Sequence, residues 1–301
     1  RQNLTHSEPL EAFLKRYGDE PREVARWIDA FSPAELIAWA EGLGQPTFVG
    51  SSGRVFPRAM KASPLLRAWL ERLQATGVEV RTRSRWTGWR DGALVLQTPE
   101  GERLEQADAV VLALGGASWP RLGSDGAWRP WLEAAGVEVA PFRPANAGFD
   151  VAWSDAFRTR FAGQPLKAAF SFGGRTLRGE AMISAYGIEG GAIYALSAAL
   201  RDAIEADGAA VLTVDLTPDL SLGRLTERLQ RPRGKASLSN HLRKAAGLNP
   251  LAIGLMREAG EPPTQGAALA ERMKALPLRL HAIQGLDRAI SSAGGVRLDQ
   301  L

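Results

Sequence analysis

Cysteine is absent from the 301-residue sequence, and histidine occurs only at His6, His241 and His281. Without cysteine there can be no disulfide, no thiolate nucleophile and no cysteine-ligated iron–sulfur cluster. The three histidines lie far apart in sequence and lack the spacing of metal ligands, so we expect no metal site. Any redox chemistry would therefore belong to a bound cofactor.

Long apolar runs are also missing. No stretch reaches the roughly 18 to 20 apolar residues that a membrane-spanning helix needs, and the opening residues, Arg1 to His6, do not resemble an export signal. Hydrophobic residues make up 45% of the chain and charged residues 23%, which favours a globular, cytoplasmic protein that does not enter a membrane. The net charge of +4 favours an anionic partner, such as a dinucleotide phosphate or RNA, without choosing between them.

Helix signals dominate the first 77 residues. Ser32-Pro33-Ala34-Glu35 has the pattern of a capping box with proline at the first helical position. Ser63-Pro64 opens another helix, which Gly77 ends. Three tryptophans on apolar helix stripes are predicted to be core residues: Trp27, Trp39 and Trp69.

Strand signals follow the helices. Residues 78–81 and 109–114 are predicted strands, the second fully buried, with a hairpin over 85–98 around Asp91-Gly92 between them. The second strand runs into Gly115 and Gly116, where a backbone can approach a phosphate or ribose without side-chain interference. The same pattern fits a buried strand that uses glycine only to turn.

The pattern changes after Gly136. Alternating apolar residues over 147–184 predict a second, β-rich domain. Helices are predicted over 191–206, 221–230, 237–246 and 264–275, with a strand over 210–216, and residues 278–301 return to strand-like, glycine-rich sequence.

Six sequence blocks then occur in a characteristic order. They are Asn3-Leu4-Thr5, Gly53 to Pro57, Gly77 to Val80, Leu112 to Gly116 with Ser118 to Pro120 and Gly123 to Gly126, Tyr186 to Gly191, and Ala293 to Val296. In these blocks the chain resembles, over nearly its whole length, the bacterial flavoprotein family that includes rRNA dihydrouridine synthases and bile-acid flavin oxidoreductases. One block would be chance, but their common order is not.

The resemblance implies an α/β protein with an incomplete two-dinucleotide-binding-domain flavoprotein fold, an inserted β-rich domain and a small helical subdomain. Residues 1–145 would form a partial FAD-binding domain, 146–280 an inserted substrate or lid domain, and 281–301 a return to the FAD-binding domain. In relatives, a strand and a Gly-x-Gly-x-x-Gly turn precede the first block, and a Gly-Glu segment and a helix follow the last. We therefore expect a fragment, truncated at both ends, that is inactive alone and binds FAD weakly or not at all.

Carried over residue by residue, the resemblance implies FAD contacts at Asn3, Thr5, Val80, Ala113, Leu114, Gly115, Gly116, Gly294 and Gly295. Two residues are catalytic candidates. Arg54 would hold a substrate anion or the charge on reduced flavin, and Tyr186 would donate a proton to the reduced substrate. A surface arginine without a role and a packed, hydrogen-bonded tyrosine are the alternatives.

A basic segment lies between residues 224 and 244. Its seven basic residues accompany one acid, Glu227, and could grip a phosphate backbone or simply form a solvated helix face: Arg224, Arg228, Arg231, Arg233, Lys235, Arg243 and Lys244.

Three functions stay open at this point. The first is an FAD-dependent oxidoreductase that takes electrons from NAD(P)H and reduces a conjugated small molecule. The second reduces uridine in ribosomal RNA to dihydrouridine. The third is a non-catalytic module that binds a nucleotide or RNA. A flavin chromophore would separate the third from the first two.

Overall fold

The computed structural model describes residues 3–17, 21–264 and 266–300, apart from the side chain of Pro21. The chain divides into two compact units, Arg1–Gln106 and Ala107–Leu301. Helices and strands occur in both units, which agrees with the α/β class. The functional domain limits, 1–145, 146–280 and 281–301, stay a prediction.

The first unit contains short helices and two small sheets. Its elements are β1 (Thr5–His6), α1 (Leu10–Leu14), α2 (Pro21–Ala30), α3 (Pro33–Gly42), β2 (Thr47–Val49), β3 (Arg54–Pro57), α4 (Ala62–Ala75), β4 (Arg85–Arg90), β5 (Ala93–Thr98) and β6 (Gly101–Glu105). One antiparallel sheet has the order β1-β3-β2, and the other is the meander β4-β5-β6.

Local sequence signals account for several of these elements. Ser32 accepts a hydrogen bond from the Glu35 backbone N–H, and the Glu35 carboxylate accepts one from the Ser32 N–H, which completes the predicted capping box at the start of α3. Asp91 and Gly92 have φ values of 50° and 81°, as the turn of a tight β-hairpin requires. The predicted hairpin is thereby confirmed.

Two strand predictions were wrong. Residues 78–81 and 109–114 form no strand, and Val78, Val80 and Val111 are 47%, 55% and 90% exposed. A strand needs a neighbouring strand to satisfy its backbone N–H and C=O groups. Among the residues that the structure describes, no strand pairs with either segment.

The tryptophan prediction was also wrong in part. Trp27 and Trp69 are 48% and 42% exposed, although Trp39 is half-buried and meets Trp69 edge-on, with ring centroids 5.4 Å apart. The helix stripes that carry these rings are apolar, but in this unit they are only partly covered.

The second unit holds the large sheet. Its elements are α5 (Arg129–Ala134), β7 (Val139–Ala145), β8 (Phe149–Asp150), α6 (Asp155–Phe161), β9 (Pro165–Phe172), β10 (Arg175–Ile183), β11 (Gly187–Glu189), α7 (Gly191–Tyr194), α8 (Ser197–Asp207), β12 (Ala210–Asp215), α9 (Leu222–Leu229), α10 (Leu238–Ala246), α11 (Pro250–Glu258), α12 (Gly266–Lys274), β13 (Leu276–Leu280) and β14 (Ser291–Val296). The β-rich segment and the later helices agree with their predictions, whereas α11 was missed.

An antiparallel six-stranded sheet organises the core of this unit. Its strand order is β13-β12-β9-β10-β11-β8, and a separate two-stranded ladder joins β14 to β7. Helix α7 packs on β10, and α8 and α12 pack on β12. Phe149, Phe170, Ile183, Leu212 and Leu255 are completely buried in this core. Burial of each such side chain contributes roughly 1.5 to 3 kcal/mol.

Two kinds of feature are missing from the residues that the structure describes. No helix there has the length and apolarity required to span a bilayer. No group of three or more potential metal-binding side chains clusters in that part of the chain.

Candidate functional site

A large cavity in the second unit brings together six of the residues implied to contact FAD. Its volume is about 940 Å³. The lining includes all of residues 110–116 together with Ser118, Trp128, Leu132, Val137, Phe142, Ile290, Ser291, Ser292, Gly294, Gly295, Val296 and Gln300. We call it the glycine-lined cavity. Ala113 to Gly116 and the Gly294-Gly295 pair lie far apart in sequence and meet here.

Hydrogen bonds between side chains and backbone fix one wall of the cavity. The Trp128 indole Nε1 donates to the Gly115 carbonyl at 3.0 Å. The Ala117 backbone N–H donates to Ser292 Oγ, also at 3.0 Å. A Cβ atom at Gly116 would overlap Ser292 Oγ, so only glycine permits this approach of residues 115–117 to β14.

Glycine is equally necessary in strand β14. Gly294 and Gly295 have φ values of 90° and 114°, and the ladder between β14 and β7 shifts register between Ala293 and Gly295. A Cβ at Gly294 would overlap the Pro141 carbonyl oxygen. The two glycines therefore form a bulge that brings bare backbone to the cavity.

The residues present fit the uncharged part of a dinucleotide. A volume of about 940 Å³ lies near the upper end of the roughly 300 to 1,000 Å³ typical of ligand pockets. The lining is glycine backbone, apolar side chains and a few hydroxyl and amide groups, which suits an aromatic ring or a ribose. No ionisable side chain occurs among the described residues that line it, so these residues offer a pyrophosphate only uncharged donors.

Tyr186 lines a different cleft of the second unit, with a volume of about 530 Å³. Its hydroxyl donates to Glu189 Oε2 at 2.6 Å, and the Arg288 guanidinium lies 5.2 Å above its ring. Two causes raise the pKa of Tyr186 well above its ordinary value: burial, which is the larger, and the hydrogen bond to Glu189. The phenol therefore keeps its proton at neutral pH.

Charged, polar and apolar residues line the rest of this cleft. Its other lining residues are Asp150, Val151, Ala152, Trp153, Arg158, Ala185, His281, Gln284 and Arg288. Gln284 donates a hydrogen bond to the Asp150 carboxylate. Gly148 gives Tyr186 room, because a Cβ there would lie 2.8 Å from the tyrosine hydroxyl. We call this space the Tyr186 cleft.

Residues 281–296 connect the Tyr186 cleft to the glycine-lined cavity. His281, Gln284 and Arg288 line the cleft, whereas Ile290 to Ser292 line the cavity. Backbone hydrogen bonds hold this segment along residues 146–150. In the sequence, therefore, only Ala289 separates Arg288, which lines the cleft, from Ile290, which lines the cavity.

Two of the predicted residues of the first unit, Thr5 and Arg54, lie on neighbouring strands, and Asn3 comes shortly before the first of them. Thr5 pairs with Val55 and His6 pairs with Arg54 between β1 and β3, and Leu4, next to Asn3, donates to the Val55 carbonyl at 2.8 Å. Thr5 is buried, whereas the Arg54 side chain is exposed and has no ion pair among the described residues.

Val80 is not part of this group. It lies after α4, outside any helix or strand, and is 55% exposed. The roles of Val80, Asn3, Thr5 and Arg54 at a cofactor or substrate stay predictions.

The predicted RNA-contact residues lie on and between α9 and α10. All seven side chains are exposed, and none forms an ion pair with an acid among the described residues. The two helices pack together, with His241 Nε2 3.2 Å from the Leu229 carbonyl oxygen. The segment thus presents unneutralised positive charge, although contact with RNA stays a prediction.

A family model described as HI0933-like protein Rossmann domain matches residues 1–301. The chain therefore belongs to this HI0933-like Rossmann family, which confirms the predicted resemblance and the α/β class.

A curated relative has a named activity. This relative, 3-dehydro-bile acid delta(4,6)-reductase of Clostridium scindens, is 25% identical to this chain over 321 aligned positions. The alignment covers 100% of this chain and 76% of the relative. Family membership and this relative together point to an oxidoreductase of the flavoprotein type.

Sequence reasoning missed several residues that shape these sites. Glu189 lies inside the Tyr186 to Gly191 block, three residues from the tyrosine that it binds, so its position was an available signal. Ser292, Trp128 and Arg288 carried no comparable signal, because their partners are distant in sequence or lie in loops.

Proposed function

We propose that this protein is an FAD-dependent oxidoreductase that takes electrons from NAD(P)H and reduces a conjugated small molecule. The observation that carries the proposal is the glycine-lined cavity, where residues 113–116 and Gly294-Gly295 present backbone and apolar surface to a ring-sized ligand. When bound there, FAD supplies the hydride chemistry.

The chain's own residues would bind and orient the cofactor. Gly115 and Gly116 let the backbone approach it, and the bonds from Trp128 and to Ser292 hold that backbone in place. Phe142 and Leu132 provide apolar surface, which excludes water from one side. A site held by fixed backbone needs little reorganisation when the ligand enters.

The Tyr186 cleft is the proposed substrate site. Arg288 and His281 line it, and a segment of the chain connects it directly to the glycine-lined cavity. Tyr186 would hold a proton at Oη beside the substrate. Its raised pKa makes it a weak acid, so transfer would require a strongly basic substrate atom. Separately from this cleft, Arg54 of the first unit is proposed to hold a substrate anion or the charge on reduced flavin.

The test of function is the visible absorption spectrum of the protein expressed from its full gene, before and after anaerobic addition of NADH or NADPH. Flavin bands that bleach with either donor support the reductase. Colourless protein that takes up no FAD on reconstitution would refute it and favour the non-catalytic nucleotide- or RNA-binding module. A variant with Tyr186→Phe should keep the bleaching and lose substrate reduction if Tyr186 donates the proton.

One observation favours a second candidate function, the reduction of uridine in rRNA. The exposed basic residues on α9 and α10 offer charge for several phosphates without competing ion pairs among the described residues. A protein that neutralises several phosphates loses affinity steeply as salt rises.

RNA-dependent oxidation of NAD(P)H separates the two candidates. If rRNA is the substrate, oxidation should require RNA, and Arg228→Gln should weaken RNA binding about equally for all sequences and make the salt dependence shallower. Oxidation with a conjugated small molecule and no response to RNA would leave the first candidate alone.

A further inference from the structure

The second unit contains a further cavity, of about 360 Å³, formed by residues of α6, α10 and α11 and the segments next to them. Among the described residues, none that lines this cavity also lines the glycine-lined cavity or the Tyr186 cleft. Its lining residues are Ser154, Ala156, Phe157, Arg160, Phe161, Ser239, Asn240, Arg243, Pro250, Ile253, Gly254, Arg257 and Glu258. We call it the arginine pocket.

Aromatic rings form the buried wall of the arginine pocket. Phe157 and Phe161 are 3% and 5% exposed, and their ring centroids lie 5.0 Å apart. Gly254 lets both rings lie directly against α11, because a Cβ there would be 2.7 Å from Phe161 and 3.1 Å from Phe157. The two rings therefore form a rigid apolar base for the pocket, of which only a small area is accessible to a ligand.

Three arginines line the pocket on separate elements. The Arg160 guanidinium lies 5.2 Å above the Phe161 ring. Arg243 donates to Asn240 Oδ1 at 2.9 Å, and Arg257 donates to Ser239 Oγ at 2.8 Å. None of the three forms an ion pair among the described residues. The uncharged partners Asn240 and Ser239 thus position the guanidinium groups of Arg243 and Arg257 without neutralising the positive charge of these arginines.

The single carboxylate of the lining is hydrogen-bonded within the lining, to Ser154. Glu258 accepts hydrogen bonds from the Ser154 backbone N–H and hydroxyl at 2.8 and 2.7 Å. With three arginines and one glutamate, the lining carries a net charge of +2. A phosphate monoester carries a charge of about −1.5 to −2 at pH 7, and guanidinium groups match its oxygens in a bidentate fashion.

We propose that the arginine pocket binds a phosphate monoester attached to a flat or apolar body. Arg243 and Arg257 hold the phosphate, Arg160 completes its neutralisation, and Phe157 and Phe161 contact the attached body. The volume of about 360 Å³ is near the lower end of the range for ligand pockets, which suits a mononucleotide rather than a dinucleotide. The site is independent of flavin binding and goes beyond the proposed redox function.

Calorimetric titration with adenosine 5′-monophosphate, inorganic phosphate and adenosine tests the site without any activity readout. The monophosphate should bind most tightly, inorganic phosphate more weakly, and adenosine not measurably. Arg257→Gln and Arg243→Gln should each weaken binding of the monophosphate by about tenfold or more, because each removes a hydrogen bond to a charged group. Arg243→Lys should recover only part of the affinity, since it keeps the charge and loses the planar fork.

Arg279→Gln is the matched control. It removes the same charge from exposed β13, outside the pocket lining, and should change the affinity by less than about threefold, as expected for a distant, screened charge. Circular dichroism of each variant establishes that it is folded. Equal losses in Arg279→Gln and Arg257→Gln would overturn the proposal in favour of diffuse surface charge, and absence of binding at millimolar monophosphate would overturn it outright.

A second arm identifies the source of the phosphate. A short single-stranded RNA with a 5′-phosphate is compared with the same RNA ending in a 5′-hydroxyl. A preference for the phosphorylated end that Arg257→Gln abolishes assigns the pocket to an RNA terminus. Binding of the mononucleotide without that preference assigns it to a free phosphorylated metabolite. Because neither arm requires FAD or NAD(P)H, failure here leaves the redox proposal standing, and the reverse also holds.

Discussion

Replacement of Gly116 by alanine tests how residues 115–117 are joined to β14. The new Cβ would overlap Ser292 Oγ, which accepts the Ala117 N–H. Rotation of the hydroxyl away loses that hydrogen bond, which costs about 0.5 to 1.5 kcal/mol, and residual crowding costs about 1 to 3 kcal/mol. The smaller entropy of an unfolded alanine chain offsets about 0.4 to 1 kcal/mol. We expect a net loss of about 1 to 3 kcal/mol.

A double-mutant cycle isolates the clash from other effects. Ser292→Ala removes Oγ and should cost about 0.5 to 1.5 kcal/mol, since the Ala117 N–H loses its partner. A Cβ at Gly116 then meets the remaining side-chain carbon at 3.5 Å, an ordinary contact. Gly116→Ala should therefore cost little in the Ser292→Ala background, which corresponds to a coupling energy of about 1 kcal/mol or more.

Urea unfolding followed by tryptophan fluorescence measures the cycle, and thermal unfolding gives an independent value. For a unit of this size, 1 kcal/mol corresponds to a shift of about 2 to 4 °C in Tm. If the two substitutions are additive, the close approach of residue 116 to Ser292 is not what holds this wall of the cavity. A loss of FAD binding that the second substitution restores would link the same contact to the cofactor.

Further substitutions test the rest of the second unit. Gly187→Ala places a Cβ on backbone atoms of β8 and should cost about 3 kcal/mol or more in urea unfolding, whereas Gly223→Ala, in open space on α9, should stabilise by up to about 1 kcal/mol. Glu189→Gln removes a cause of the raised Tyr186 pKa, so tyrosinate absorbance should appear at lower pH; an unchanged titration would contradict the assigned contact. Because the pKa of Tyr186 is higher in the folded than in the unfolded protein, its contribution to the free energy of unfolding is full below about pH 10 and declines at higher pH. This decline should be smaller in Glu189→Gln. Arg201→Met should cost about 2 to 3 kcal/mol, because this arginine, with a side chain 7% exposed, donates to a carbonyl of β7 at 2.9 Å.

The elements that sequence could predict are those with local causes. The capping box at Ser32 and the turn at Asp91-Gly92 are set by neighbouring residues, and both were confirmed. Helix α11 has an equally local signal that the sequence prediction did not use. Asn249 accepts the Ala252 N–H at 2.8 Å and stands immediately before Pro250, and asparagine followed by proline is a favoured start of a helix.

Strand pairing and site assembly could not be predicted in the same way. Residues 109–114 have the composition of a buried strand, but a strand also requires a partner, which the composition of one segment does not specify. The meeting of Gly115 with Gly294 follows from the family resemblance. The hydrogen bond from Ala117 to Ser292 depends on the register of β14 with β7, which no local signal specifies.

The glycine-lined cavity and the arginine pocket differ in the charge of their lining, so the affinities of their ligands should depend differently on salt concentration. No ionisable side chain lines the cavity among the described residues, whereas the pocket carries three arginines. Exposed charges are screened over about 8 to 10 Å at physiological ionic strength. Raising the salt concentration should therefore weaken binding of the phosphate monoester strongly and leave contacts of the cofactor ring in the cavity nearly unchanged. Calorimetry with adenosine 5′-monophosphate and fluorescence titration with riboflavin, which lacks phosphate, measure the two effects in parallel. A steep salt dependence for riboflavin would mean that charged residues outside the cavity lining take part in holding the ring.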